Sequence, residues 1–230
     1  MRFSRVFLNR LNNQPDAYDT VVVIDVLRSF TTAAVALDRG ASLVYPVESI
    51  VGAIGLRDRI ENSVSVGAIA GGDPAPGFDF GNSPSALIDA DLAGRPVVLS
   101  SAAGVRALHR FRKARRVYAA GLVVAMATAH AIRASDANEV CFVITGEWVD
   151  RDGDEDIACA DYIEALLCGE TVAPTNFSQR VRKSDFGQRF TAGNSPSLPL
   201  ADLNLAAEAD LFDFAMPVHS EGDQLVIRHT

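Results

Sequence analysis

Short β-branched runs alternate with polar turns and helix-spaced stretches over the first two-thirds of the 230-residue chain. The run "TVVVIDV" at 20–26 is near-continuously apolar, as a strand covered on both faces requires. Behind it "SFTTAAVALDRG" keeps helical spacing, with Ser29 placed as N-cap and Gly40 as stop. The same alternation recurs as "SLVYPV" before "ESIVGAIGLRDRI", "RPVVLSS" before "AAGVRALHRFRK", "RRVYAA" before "GLVVAMATAHAIRA", and "EVCFVITG" before "EDIACADYIEALLCG". "SVSVGAIA" leads instead into "GGDPAPGFDFGNSPSALI" at 71–88, a turn-rich stretch in which Ser83 and Pro84 suit the N-cap and first position of a helix. Six such units predict an α/β fold, a mainly parallel or mixed sheet flanked by helices. Residues 1–170 are expected to form the α/β core, with any ligand site at its strand ends. The less regular 171–230 would be an extension packed on it in one compact unit, with "DQLVIR" an edge or antiparallel strand.

Composition narrows the partners. Hydrophobic residues make up 48% and charged residues 22%, ordinary for a globular chain with a sizeable core. A formal net charge of -8 disfavours nucleic acid and anionic membranes as main partners, because the overall field repels both. Neither a membrane-spanning run nor a secretory leader is legible, so a cytoplasmic location is expected. Cys141, Cys159 and Cys168 lack the count and spacing of a disulfide framework or zinc site, and read as buried reduced thiols. Oligomeric state is not encoded legibly, and a homodimer is the default.

In open parallel sheets, ligands gather beyond the carboxyl ends of strands. Four predicted strand ends bring polar groups to one edge: Asp25, Arg28 and Ser29; Asp73, Asp79, Asn82 and Ser83; Ser100, Ser101 and Gly104; Thr145, Glu147, Asp154, Glu155 and Asp156. Ordinary roles compete for each, since Asp25 suits a strand-end cap and "DRDGDED" at 150–156 a solvated acidic loop. Glu155 and Asp156 stand apart because they open an apolar helix, where the macrodipole favours acids. A carboxylate ending an apolar strand needs a partner, which Arg28 or a metal ion supplies. Hard oxygen ligands on separate loops suit Mg²⁺, which completes its shell with water and phosphate oxygens. Neither a Walker loop nor a G-x-G-x-x-G turn is present, so nucleotide use has no support. The four histidines are scattered, and the basic run at 106–116 reads as an exposed helix face.

"VVVIDVLRSFTTAAVALDRGASLVYPV", "GFDFGNSP", "SSAAGVRAL" and "EDIACADYIEALL", in this order, resemble the 2-phosphosulfolactate phosphatase family, as does the tail "DLNLAAEADLFDFAMPV". The resemblance implies an α/β fold, Mg²⁺ dependence and hydrolysis of phosphate monoesters of small 2-hydroxy acids, with Asp25, Arg28, Asn82, Ser83, Glu155 and Asp156 on motif positions. On that basis Asp25 and Arg28 are the expected catalytic residues. Arg28, Ser29, Asn82, Ser83, Ser100, Ser101 and Gly104 are expected to bind a small phosphorylated acid, and Asp25, Asp73, Glu155 and Asp156 the metal. Whether water or a carboxylate attacks phosphorus stays open, with Asp25 the candidate nucleophile. Departures touch substrate choice first: Ala102, Ala103 and Val105 stand where the family has polar side chains, "GGDP" replaces "GGER", and Asp161 replaces a glycine. A non-catalytic relative that binds a phosphorylated or sulfonated acid is the competing expectation.

Overall fold

The structure, a computed structural model, describes residues 1–11, 18–69 and 73–230. Gly71 and Gly72 of the turn-rich stretch lie outside the described residues. The strands are β1 (Arg2–Phe7), β2 (Thr20–Ile24), β3 (Leu43–Pro46), β4 (Val64–Gly67), β5 (Pro96–Ser100), β6 (Arg116–Ala120), β7 (Glu139–Ile144), β8 (Val218–Glu221) and β9 (Gln224–Ile227). The α-helices are α1 (Ser29–Asp38), α2 (Ile50–Arg57), α3 (Gly104–Phe111), α4 (Ala125–Ala134), α5 (Asp154–Cys168), α6 (Pro174–Lys183), α7 (Asp185–Thr191) and α8 (Leu200–Ala206).

The α/β expectation holds, with two sheets. One is parallel, in the order β1-β7-β2-β6, and the other is mixed, in the order β4-β5-β3-β9-β8. All five residues of β2 are buried because both faces of the first sheet are covered. Val21 and Val23 face a core shared with α1, α3 and the second sheet. Val22 and Ile24 face the opposite core, with α4 and α5. The C-terminal hairpin β8–β9 joins the sheets: β9 pairs antiparallel with β3, and Pro217, just before β8, bridges Tyr118 of β6. "DQLVIR" is therefore an interior antiparallel strand. β1 has no counterpart among the predicted units, since its mostly outward, Arg-containing sequence "RFSRVF" hides the pairing with β7.

Two local expectations fail for identifiable reasons. Residues after Ser83 form a single 3₁₀ turn, Ser85–Leu87, where a helix capped by Ser83 was expected. Asp202 of α8 takes the Ser85 N–H instead, and the chain then sinks Leu87 and Leu92 into the core. Ser29 does not cap α1 with its side chain; its N–H is itself capped by Asp25. Cys141 and Cys159 are buried as expected, whereas Cys168, in the last turn of α5, is exposed. Among the described residues no helix is long and apolar enough to cross a membrane.

Candidate active site

β2 and β7 are neighbours, yet α1 and α5, which follow them, pack on opposite faces of the sheet. A crevice opens where such connections diverge. Asp25 lies at its β2 side and Asp156 at its β7 side.

Asp25 is buried and caps two helices at once. Ser29 N–H donates to its Oδ1 and Gly104 N–H to its Oδ2, each at 3.0 Å. The loops after β2 and β5 are thereby tied together across the two sheets. Gly104 is obligatory here, because a Cβ would lie 2.6 Å from Asp25 Oδ2 and 3.0 Å from the Phe30 ring. Burial raises the Asp25 pKa, opposed by the Ser29 and Gly104 donors.

Asp156 staples β2 to β7. Val26 N–H donates to Oδ1 at 2.9 Å, while Oδ2 accepts from Thr145 N–H at 3.0 Å, Gly146 N–H at 2.7 Å and the Thr145 hydroxyl at 3.2 Å. Burial, then the charges of Glu155 and Asp25, push its pKa well up. Glu155 is different. It is 1% exposed and neither carboxyl oxygen has a hydrogen-bond partner among the described residues. Burial lifts its pKa to about 7. A Cβ on Gly146 would collide with Glu155 Oε1 and approach Asp156 Oδ2.

Six buried side-chain oxygens lack partners among the described residues, and four belong to residues singled out in the sequence: Asn82 Oδ1, Ser101 Oγ and both Glu155 oxygens. Such atoms are costly unless something binds them. Asn82 donates weakly to Ser29 Oγ at 3.4 Å. Ser100 is buried at the end of β5. Asp73 is exposed and receives a hydrogen bond from Ser197 Oγ. Among the described residues no three His, Cys, Asp or Glu side chains are grouped to hold a metal ion.

Arg28 and Ser83 converge on a residue that the sequence reading passed over. Asp202, fully buried, accepts from Arg28 Nη1 on Oδ2 at 2.8 Å. Its Oδ1 accepts from Ser83 Oγ at 2.8 Å, Ser85 Oγ at 2.6 Å and Ser85 N–H at 3.0 Å. Arg28 Nη1 also donates to the Ser197 carbonyl at 2.8 Å, and Phe190 lies under the guanidinium. The sequence marks Asp202 only as an acid inside the apolar segment "PLADLNLA" and as the first residue of the family-like tail "DLNLAAEADLFDFAMPV".

A pocket of about 470 Å³ opens beside Arg28 and Thr145. Arg28, Arg106, Arg151 and Arg189 line it against one carboxylate, Asp150, with Trp148, Phe186 and Leu198 as apolar walls. Arg189 is paired with Asp150 at 2.7 Å. Arg151 lies over the Phe186 ring at 4.6 Å, and Arg106 reaches only Asn9 Oδ1 at 3.5 Å, so neither has a carboxylate partner among the described residues. The pocket is cationic within an acidic chain. Arg106 and Arg151 escaped the sequence reading because both sit in runs that resemble ordinary charged surface. The rest of "DRDGDED" follows its expected division: Asp150 and Asp152 are exposed, while Glu155 and Asp156 are buried.

The family described as 2-phosphosulpholactate phosphatase matches residues 7–216. A probable 2-phosphosulfolactate phosphatase of Carboxydothermus hydrogenoformans is 33% identical over 95% of this chain and 93% of its own. The Bacillus subtilis protein of the same description is 27% identical over 89% of each chain. That of Thermus thermophilus is 37% identical over 65% of this chain and 62% of its own. The matched region takes in Asp25, Arg28, the 82–85 turn, Gly104, the Glu155-Asp156 pair and Asp202, and the chain belongs to the 2-phosphosulpholactate phosphatase family.

Proposed function

We propose that the protein is a phosphatase that releases phosphate from monoesters of small 2-hydroxy acids such as 2-phosphosulfolactate, with Mg²⁺ as cofactor. The observation that carries this reading is the juxtaposition of a guanidinium-lined pocket with buried carboxylates at the same strand ends. An anionic ester fits the first, and a divalent cation offsets the second.

Glu155 fits a hard cation best, since its two buried oxygens have no hydrogen-bond partner among the described residues. Asp25 would join it, each of its oxygens keeping a lone pair beyond the amide it accepts. Asp156 already accepts four donors and acts chiefly by fixing the ends of β2 and β7. Mg²⁺, when bound, neutralises charge on the phosphoryl oxygens. Phosphoryl transfer otherwise needs positioning and electrostatic complementarity. Arg28 supplies a planar guanidinium with one arm anchored, and Arg106 and Arg151 supply charge for the acid groups of the substrate. Trp148, Phe186 and Leu198 limit water on the open side.

The test is phosphate release from 2-phosphosulfolactate and from para-nitrophenyl phosphate, with Mg²⁺ and again with chelator. Turnover abolished by chelator and restored by Mg²⁺ is expected. Tight ligand binding without phosphate release under either condition would instead assign a binding protein.

A further inference from the structure

The structure assigns Asp202 a part in the reaction: we propose that it is a positioning residue that sets the Arg28 guanidinium for substrate, so that the C-terminal segment completes the active site. The proposal rests on the reading of Arg28 as a substrate-binding group.

Three observations carry it. First, Asp202 holds only Nη1 of Arg28, and the described residues offer Nε and Nη2 no hydrogen bond, while the guanidinium borders the pocket. One arm is spent on orientation, and the donors of Nε and Nη2 stay unspent among the described residues. Second, the carboxylate cannot swing. Its other oxygen is fixed by the Ser83 and Ser85 hydroxyls and the Ser85 amide, all from the loop that carries Asn82. Third, the pair is buried on both sides, Arg28 at 5% and Asp202 at 0% exposure, so water cannot substitute for either partner. A buried ion pair of this kind is a poor device for stability and a good one for fixing geometry. The same segment supplies the Ser197 carbonyl to Nη1, Phe190 beneath the guanidinium, and Phe186, Arg189 and Leu198 to the pocket wall.

Replacing Asp202 by Asn keeps the shape but substitutes an N–H₂ for one acceptor, and both carboxylate oxygens now face donors. The experiment is a double-mutant cycle on the full chain: Asp202→Asn, Arg28→Ala and the pair, with kcat and KM for 2-phosphosulfolactate and melting temperature for each. Asp202→Asn is expected to raise KM about tenfold with kcat within about threefold, and to add nothing in the Arg28→Ala background. Equal additional loss in that background overturns the positioning role, as does an unchanged KM in Asp202→Asn. If Arg28→Ala itself turns over normally, the fault lies in the assignment of Arg28 to substrate binding, a distinguishable failure. Should Asp202→Asn not fold, Ser83→Ala with Ser85→Ala removes two donors from Oδ1 and leaves the ion pair. A KM rise of about threefold is expected there, and an unchanged KM overturns the proposal.

Discussion

Gly104 gives its backbone N–H to Asp25, and that single bond locks the loop after β5 to the loop after β2. Gly104→Ala would drive a methyl into Asp25 Oδ2 and Phe30. The expected outcome is a fall in kcat/KM of about a hundredfold with a modest change in melting temperature, because misplacement by about 1 Å costs that much. Steady-state kinetics and a thermal melt on the same preparation check it.

Glu155 should make stability pH-dependent. Its folded pKa is raised from 4.5 to about 7, so the native protein holds this proton more tightly than the unfolded chain does. Below 4.5 both states are protonated and stability is undiminished; it falls as pH rises through 7 and is flat above, a loss of about 3 kcal/mol. Asp25 and Asp156 shift in the same direction, and Arg151 opposes. In chelator, the melting temperature should drop between about pH 5 and about pH 8. Glu155→Gln should flatten that slope, and Mg²⁺, by favouring the charged form, should reverse it.

Arg106 and Arg151 form no ion pair with a carboxylate among the described residues, although the Arg151 charge is felt by Asp25 and Glu155. Arg106→Ala and Arg151→Ala are each expected to raise KM for 2-phosphosulfolactate about tenfold, equivalent to ~1.4 kcal/mol for one charge-assisted hydrogen bond. The effect on para-nitrophenyl phosphate, which lacks the extra acid groups, should be smaller. The ratio of the two KM changes is the informative quantity.

Asp156→Ala removes the acceptor for four donors between β2 and β7. Unfolding in denaturant should show a loss of about 3 kcal/mol, larger than for an exposed acid of the same loop such as Asp152. The ordering of the two variants checks the staple independently of any assay.

Much of this architecture was legible because parallel strands covered on both faces write themselves as apolar runs, as in β2. The strand-end rule then selected Asp25, Asn82, Ser101 and Glu155 without any contact information. What escaped depends on pairings across long sequence distances. Asp202 acts on Arg28 and Ser85 through bonds that local spacing does not record. The helix expected after Ser83 failed for the same cause, since a distant carboxylate claims the Ser85 amide. Arg106 and Arg151 look like solvated surface until the fold turns them toward one cavity. β1 was invisible because only its pairing with β7 makes it a strand.

The β8–β9 hairpin comes after every other element in the sequence, yet Ile227 of β9 lies opposite Val44 of β3, and the two sheets meet through it. During synthesis, β3 must therefore wait for nearly the whole chain to emerge before its antiparallel neighbour exists. Closure over so long a separation is slow. Deleting the hairpin would leave β3 with a bare hydrogen-bonding rim, open to pairing with other molecules. Its folding cost and its protection against aggregation thus have one origin.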